Sequence, residues 1–205
     1  MSPNKSTEEL ALLLQKGVNW KAYFNLVHAI DNQLDSRKLR FFKSDVLELG
    51  IDLFGPPELR WVDEQGWDHE LDHENGEKIK IEMKTQANFF WLREGIGDLR
   101  DAVTKIQLSN TRGGGQSRSL ARRFDYLLLA DRRGAFLVSW DVVSRLNTAT
   151  DDQIVLRTNS LKMSNVSFIA CADDYKIEDM PNYAIKDTIY SLFRSCIKDV
   201  KKRTK

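Results

Sequence analysis

The stretch "GWDHELDHENGEKIKIEMKTQ", residues 66–86, constrains the fold of this 205-residue chain more than any other. Asn75-Gly76 stands between two runs of alternating apolar and polar residues, a strong short-range signal for a β-hairpin. A three-residue loop of Glu74-Asn75-Gly76, with Gly76 in the left-handed position of a bulged turn, sets the register so that paired residue numbers sum to 150. Trp67 then faces Met83, His69 faces Ile81 and Leu71 faces Ile79, giving a largely apolar face for a core. On the other face Asp72 meets Lys78, Glu70 meets Lys80, and Asp68 meets Glu82. The first two pairs are compensated, whereas like charges directly across a ladder repel. Neighbouring carboxylates stay ionised together only where something positive lies between them. Lys84, two residues beyond Glu82, points to the same side. The pattern asks for a cation at Asp68 and Glu82; the plainer reading is a polar face on which water solvates both acids and Lys84 relieves them.

The same stretch contains "HELDH", residues 69–73, which matches the HExxH zinc pattern. That pattern works only on a helix, where residues i and i+4 bring both imidazoles to one face beside the glutamate. Here Gly66 and Asn75-Gly76 bound the segment, and Leu71 is the one aliphatic residue between them, so a helix has no apolar stripe to bury. The hairpin is the expected conformation, with His69 on the apolar face and His73 at the loop.

The flanking sequence reads as a helical region over 1–55, a core over 56–140 and a C-terminal region over 141–205, together a single domain. "STEELALLLQKG" carries a Ser/Thr cap and early acids and ends at Gly17. "NWKAYFNLVHAIDNQL" has apolar residues at helical spacing, and "SRKLRFFKSDVLELGIDLFG" continues until Gly55-Pro56-Pro57 stops it. Beyond the hairpin, "EGIGDLRDAVTKIQLSN" predicts a helix, "NTRGGGQSRS" a flexible loop, and "FDYLLLADRRGAFLVSW" two strands about a turn. Short strands are expected at "QIVLR" and "VSFIACA", then an amphipathic helix from about Ala184. The expected class is α/β (α+β), a central mixed sheet flanked by helices.

An apolar fraction of 41% with five tryptophans argues for a folded chain. No run approaches the roughly 18–20 apolar residues of a membrane helix. The start "MSPNKSTEEL" has no signal-peptide character, and Cys171 and Cys196 lack CxxC partners, so a cytoplasmic setting with buried thiols is expected. The net charge of +1 hides an uneven distribution. Residues 58–82 hold nine Asp/Glu against three Lys/Arg, whereas Arg100, Lys105, Arg112, Arg118, Arg122 and Arg123 make 100–123 basic. Carboxylates for a cation beside basic flanks for phosphates suit an enzyme acting on a polyanion; a mixed solvated surface is the bland alternative.

Asp68, thirteen residues, Glu82, then Lys84 within "IEMK", on an apolar-alternating hairpin, resembles the PD-(D/E)XK nuclease superfamily, most closely its type II restriction endonucleases. The resemblance spans roughly residues 45–140. It departs from the motif in having Trp67 where a proline often precedes the aspartate. It implies a restriction-endonuclease-like core, with Asp68, Glu82 and Lys84 catalytic. It further implies one or two Mg²⁺ ions held by Asp68 and Glu82, with Mn²⁺ able to substitute. A further glutamate on the preceding helix is frequent in the superfamily, and Glu48 in "SDVLELG" is the best match for that third ligand. The implied function is Mg²⁺-dependent, sequence-specific cleavage of double-stranded DNA by a homodimer on a palindromic target. Arg112, Arg118, Arg122 and Arg123 in the Gly-rich loop, and Gln86, are the candidate DNA contacts. A repair or branch-specific nuclease of the same fold, and a non-catalytic nucleic-acid-binding module, are the alternatives.

Overall fold

A computed structural model describes residues 7–33, 40–64, 66–72, 76–85, 105–107, 124–130, 133–150, 153–157, 166–181, 184–191 and 194. Three helices open the chain: α1 (Thr7–Gly17), α2 (Trp20–Gln33) and α3 (Arg40–Phe54). Asn19 caps α2 by accepting the Ala22 N–H on its side-chain oxygen (3.1 Å), which satisfies one of the helix's orphan donors. Gly50 lets α3 close on α2, because a Cβ there would lie 3.0 Å from Leu26 Cδ2.

Strands β1 (Leu59–Glu64), β2 (Trp67–Asp72), β3 (Lys78–Thr85), β5 (Tyr126–Ala130), β6 (Gly134–Ser139) and β9 (Ser167–Cys171) form one mixed sheet in the order β1-β2-β3-β5-β6-β9. The protein is therefore of the α/β mixed class. β3 and β5 are parallel while their neighbours pair antiparallel, so the chain between β3 and β5 is a crossover. β9, from the C-terminal region, completes the sheet begun in the core region.

Both sheet faces are covered. Ile79, Ile81, Met83, Tyr126, Leu128, Ala130, Leu137 and Ile169 pack with α1, α2 and α3. Leu127, Leu129, Phe136 and Val138 pack on the other side with Phe124 and with Val142 and Val143 of α4 (Trp140–Leu146). This is why "YLLLA" is a continuous apolar run: burial on both faces removes the polar alternation.

The hairpin register is the expected one. His69 pairs with Ile81, Glu70 with Lys80, Leu71 with Ile79 and Asp72 with Lys78. Gly76 takes a left-handed φ of 80°. Loop residues 73–75, His73 among them, lie outside the described residues.

Three local expectations are corrected. Within the helix predicted over "EGIGDLRDAVTKIQLSN", Lys105–Gln107 form strand β4, paired antiparallel with β8 (Gln153–Arg157). With β7 (Asn147–Thr150) they make a second, three-stranded sheet. "TKIQLS" fits period two as well as helical spacing, and the distant partner β8 decides between them. α4 replaces the end of the strand-like run after Ser139, its first N–H (Trp140) bonding to the Asp125 carbonyl at 2.8 Å. Finally, Trp67 does not join the His69–Leu71 face. It packs against the Phe124–Leu127 side, its indole donates to Glu70 Oε1 (3.3 Å), and Lys80 Nζ lies 3.9 Å from its ring centroid.

The expected strands at "QIVLR" and "VSFIACA" are present as β8 and β9 (Ser167–Cys171), whereas the loop expected at "NTRGGGQSRS" lies outside the described residues. α1 ends at Gly17 and α3 at Phe54, just before Gly55-Pro56-Pro57, as the Gly/Pro signals put them, and a helix covers 184–191. Cys171 is a buried free thiol; Cys196 is outside the described residues. No helix among the described residues is long and apolar enough to cross a membrane.

Candidate active site

The site forms where β2 changes face. Trp67 lies on one side of the sheet and His69 on the other, with only Asp68 between them, so the pleat is broken at Asp68. Such an irregularity re-aims the side chain at the break. Asp68 Oδ2 accordingly accepts the main-chain N–H of Met83 on β3 (2.7 Å). The distortion continues on the far side of β2, where the pairing with β1 shifts between Trp61 and Glu64.

Glu82 follows the regular alternation of β3. It stands beside Leu127 of β5 and is only 7% exposed. A buried carboxylate needs a partner, and Lys84 supplies it: its ammonium is bonded to Glu82 Oε1 and also donates to the Met83 carbonyl (3.2 Å). Burial works against the charge on Lys84. Glu82, Asp68 and Glu48 together overcome that penalty and hold its pKa above the ordinary lysine value. The lysine is therefore a cation surrounded by three acids.

Glu48 enters from α3, which packs against β1 and β3. Ser44, one helical turn earlier, donates from Oγ to Glu48 Oε1 (3.0 Å) and lies 2.9 Å from Thr85 Oγ1. Burial first, and the Asp68 charge second, push the Glu48 carboxyl from 4.5 up to about 8; Asp45 adds to this, while the Ser44 bond and Lys84 pull the other way.

His69, 1% exposed, reaches α3 from β2 through a 3.0 Å bond between Nε2 and the Glu48 carbonyl. A carbonyl only accepts, so Nε2 carries the proton and donates. Burial lowers the His69 pKa to about 4, outweighing the opposing effect of that bond, and the ring is neutral. The HExxH geometry is thus absent, since His69 stands on a strand with its Nε2 committed to main chain.

The structure therefore brings Asp68, Glu82, Lys84 and Glu48 into one electrostatic cluster. The direct Asp68–Glu82 confrontation expected from alternation is replaced by Asp68 on a backbone amide and Glu82 on Lys84. The outer pairs are also rearranged: Lys78 bonds Glu70 diagonally (2.6 Å), and Asp72 takes Arg60 of β1 (2.7 Å). Gln86, Arg112, Arg118, Arg122 and Arg123 lie outside the described residues. Ser44, Thr85 and the link through His69 were not read from the sequence. The i,i+4 spacing of Ser44 and Glu48, and the odd parity of Thr85 toward α3, are the signals that carry them.

Among the described residues no three His, Cys, Asp or Glu side chains are gathered as a ready metal cage. The donor chemistry nevertheless fits a hard cation. Asp68, Glu82 and Glu48 are oxygen donors, and the Asp68 charge, second to burial in raising the Glu48 pKa, is one that a divalent ion would offset. Comparison with protein-family models, curated proteins and solved structures gives no match to this chain.

Proposed function

We propose that this chain is a Mg²⁺-dependent endonuclease that hydrolyses phosphodiester bonds in double-stranded DNA, acting as a sequence-specific restriction-type enzyme and as a homodimer. The observation that carries the reading is the convergence of Asp68, Glu82 and Glu48 on Lys84.

Asp68, Glu82 and Glu48 would hold the ion. Mg²⁺ supplies Lewis-acid stabilisation of phosphate charge and a more acidic bound water when present. The roles of the side chains follow from their protonation. Lys84 is held charged by its three acidic neighbours, so it opposes charge developing on the scissile phosphate and does not act as a base. Asp68 is fixed by the Met83 amide and Glu48 by Ser44, which limits their motion before substrate arrives.

One observation favours a second reading, a nucleic-acid-binding module without cleavage: the Lys84 ammonium occupies Glu82 Oε1, a position an ion needs. Incubation of the purified protein with phage DNA and Mg²⁺, with EDTA and Glu82→Ala controls, separates the two. Discrete fragments that vanish in both controls support the restriction-type nuclease. Preference for junctions or flaps points to the branch-specific form. A mobility shift with no cutting in Mg²⁺ or Mn²⁺ supports the binding module and removes the nuclease.

A further inference from the structure

His69 is a costly choice for its position. It lies between Trp61 and Ile81 across the sheet, in the face that packs with α3. Its Nδ1 is buried with no hydrogen-bond partner among the described residues. An unpaired buried acceptor is destabilising, and an apolar side chain of similar size would avoid that cost. What an apolar side chain cannot do is reach the Glu48 carbonyl. The Nε2 bond ties the residue next to Asp68 to the main chain of Glu48, so one imidazole spans two of the three elements that supply acids to the site. The Glu48 side chain is tied separately, by Ser44 and through it to Thr85 at the end of β3. Main chain and carboxylate of Glu48 are thus each anchored to the hairpin, by different residues.

We propose that His69 is a positioning residue, whose Nε2–H bond to the Glu48 carbonyl locks α3 onto β2 so that Glu48 stands with Asp68 as a cation ligand. The inference rests on the nuclease reading in assuming that these acids bind a divalent ion, and it assigns the geometry of the site to a residue that touches neither ion nor DNA. Partners that orient metal ligands in this way typically change affinity by about 10–100-fold when removed.

The test is Mn²⁺ binding, followed by loss of the free-ion EPR signal, on wild-type protein and on His69→Leu, His69→Gln and His69→Asn. Glutamine places an amide nitrogen where Nε2 stands, whereas asparagine is too short to reach the carbonyl. Thermal melts in EDTA run in parallel. The expected result is a roughly 10–100-fold weaker Mn²⁺ affinity in His69→Leu without a fall in Tm at neutral pH, with His69→Gln within a few-fold of wild type. Should His69→Leu fail to fold, the contrast between His69→Gln, binding, and His69→Asn, weakened, carries the same decision. Equal affinity in wild type, leucine and asparagine variants overturns the inference while leaving the nuclease reading intact. Equal losses in the glutamine and asparagine variants overturn it as well, since the hydrogen bond is then not what matters. A wild-type protein that neither binds Mn²⁺ nor cuts DNA removes the nuclease reading itself.

Discussion

Replacing Glu48 with glutamine probes the electrostatics of the site with almost no change in shape, because the amide oxygen can still accept from Ser44. In the unfolded chain the Glu48 carboxyl ionises near 4.5; in the folded protein it keeps its proton up to about 8. Between those values the native state binds more protons than the unfolded state, so this group lowers stability as pH rises through the window. At full strength a shift of that size corresponds to about 5 kcal/mol. Glu48 retains partial contact with water, which screens the field, so roughly 2–3 kcal/mol is expected. The Glu48→Gln variant should match wild type near pH 4.5 and exceed its stability by that amount at about pH 8, or roughly 5–10 °C in Tm for a chain of this size. Urea unfolding in EDTA across this range measures the difference, and titrating groups that do not interact with the Glu48 charge cancel in the comparison. Adding Mg²⁺ should narrow the gap by stabilising wild type more than the variant. A variant that is less stable at pH 8, or a difference that does not change with pH, would refute the claim that burial and the Asp68 charge hold the proton on Glu48.

Three further outcomes are expected. Lys84→Met leaves Glu82 as a buried carboxylate without its ammonium, lowering stability near neutral pH by about 3–5 kcal/mol, and adding Glu82→Gln in the same chain recovers most of it; denaturant melts showing no loss in the single variant would mean that water solvates the pair. Burial keeps His69 neutral down to about pH 4 while the unfolded chain protonates it near 6.5, so its contribution is complete above 6.5 and lost as pH falls toward 4. The His69→Leu variant should therefore show a stability–pH curve flatter by about 3 kcal/mol over that interval, and an unchanged acid limb would place the ring in contact with solvent. Gly76→Ala meets nothing within 4 Å, yet the left-handed φ of 80° disfavours any Cβ, so equilibrium unfolding should report a loss of about 1–2 kcal/mol from backbone strain alone; a neutral result would mean that the turn relaxes.

What could be read from the residue order was whatever local rules control. Asn75-Gly76 and strict alternation determine the hairpin register, since a slip of one residue would turn Ile79, Ile81 and Leu71 out of the core. Caps and Gly/Pro breaks likewise end α1 and α3 where they do, and the Asp68, Glu82, Lys84 spacing is legible once the hairpin is accepted. Tertiary structure alone decided the rest. Alternation places Asp68 opposite Glu82, but Trp67 is half-buried against the Phe124–Leu127 side instead, and Asp68 accepts the Met83 amide. Lys105–Gln107 are a strand because β8 offers them a ladder, a partner some fifty residues away that no local window contains. The convergence of Glu48 with Asp68 and Lys84 depends on how α3 seats on the sheet, through Gly50, His69 and Thr85. Propensity and period act over a few residues; seating and burial are settled by the whole core at once, and there the charges of the site meet.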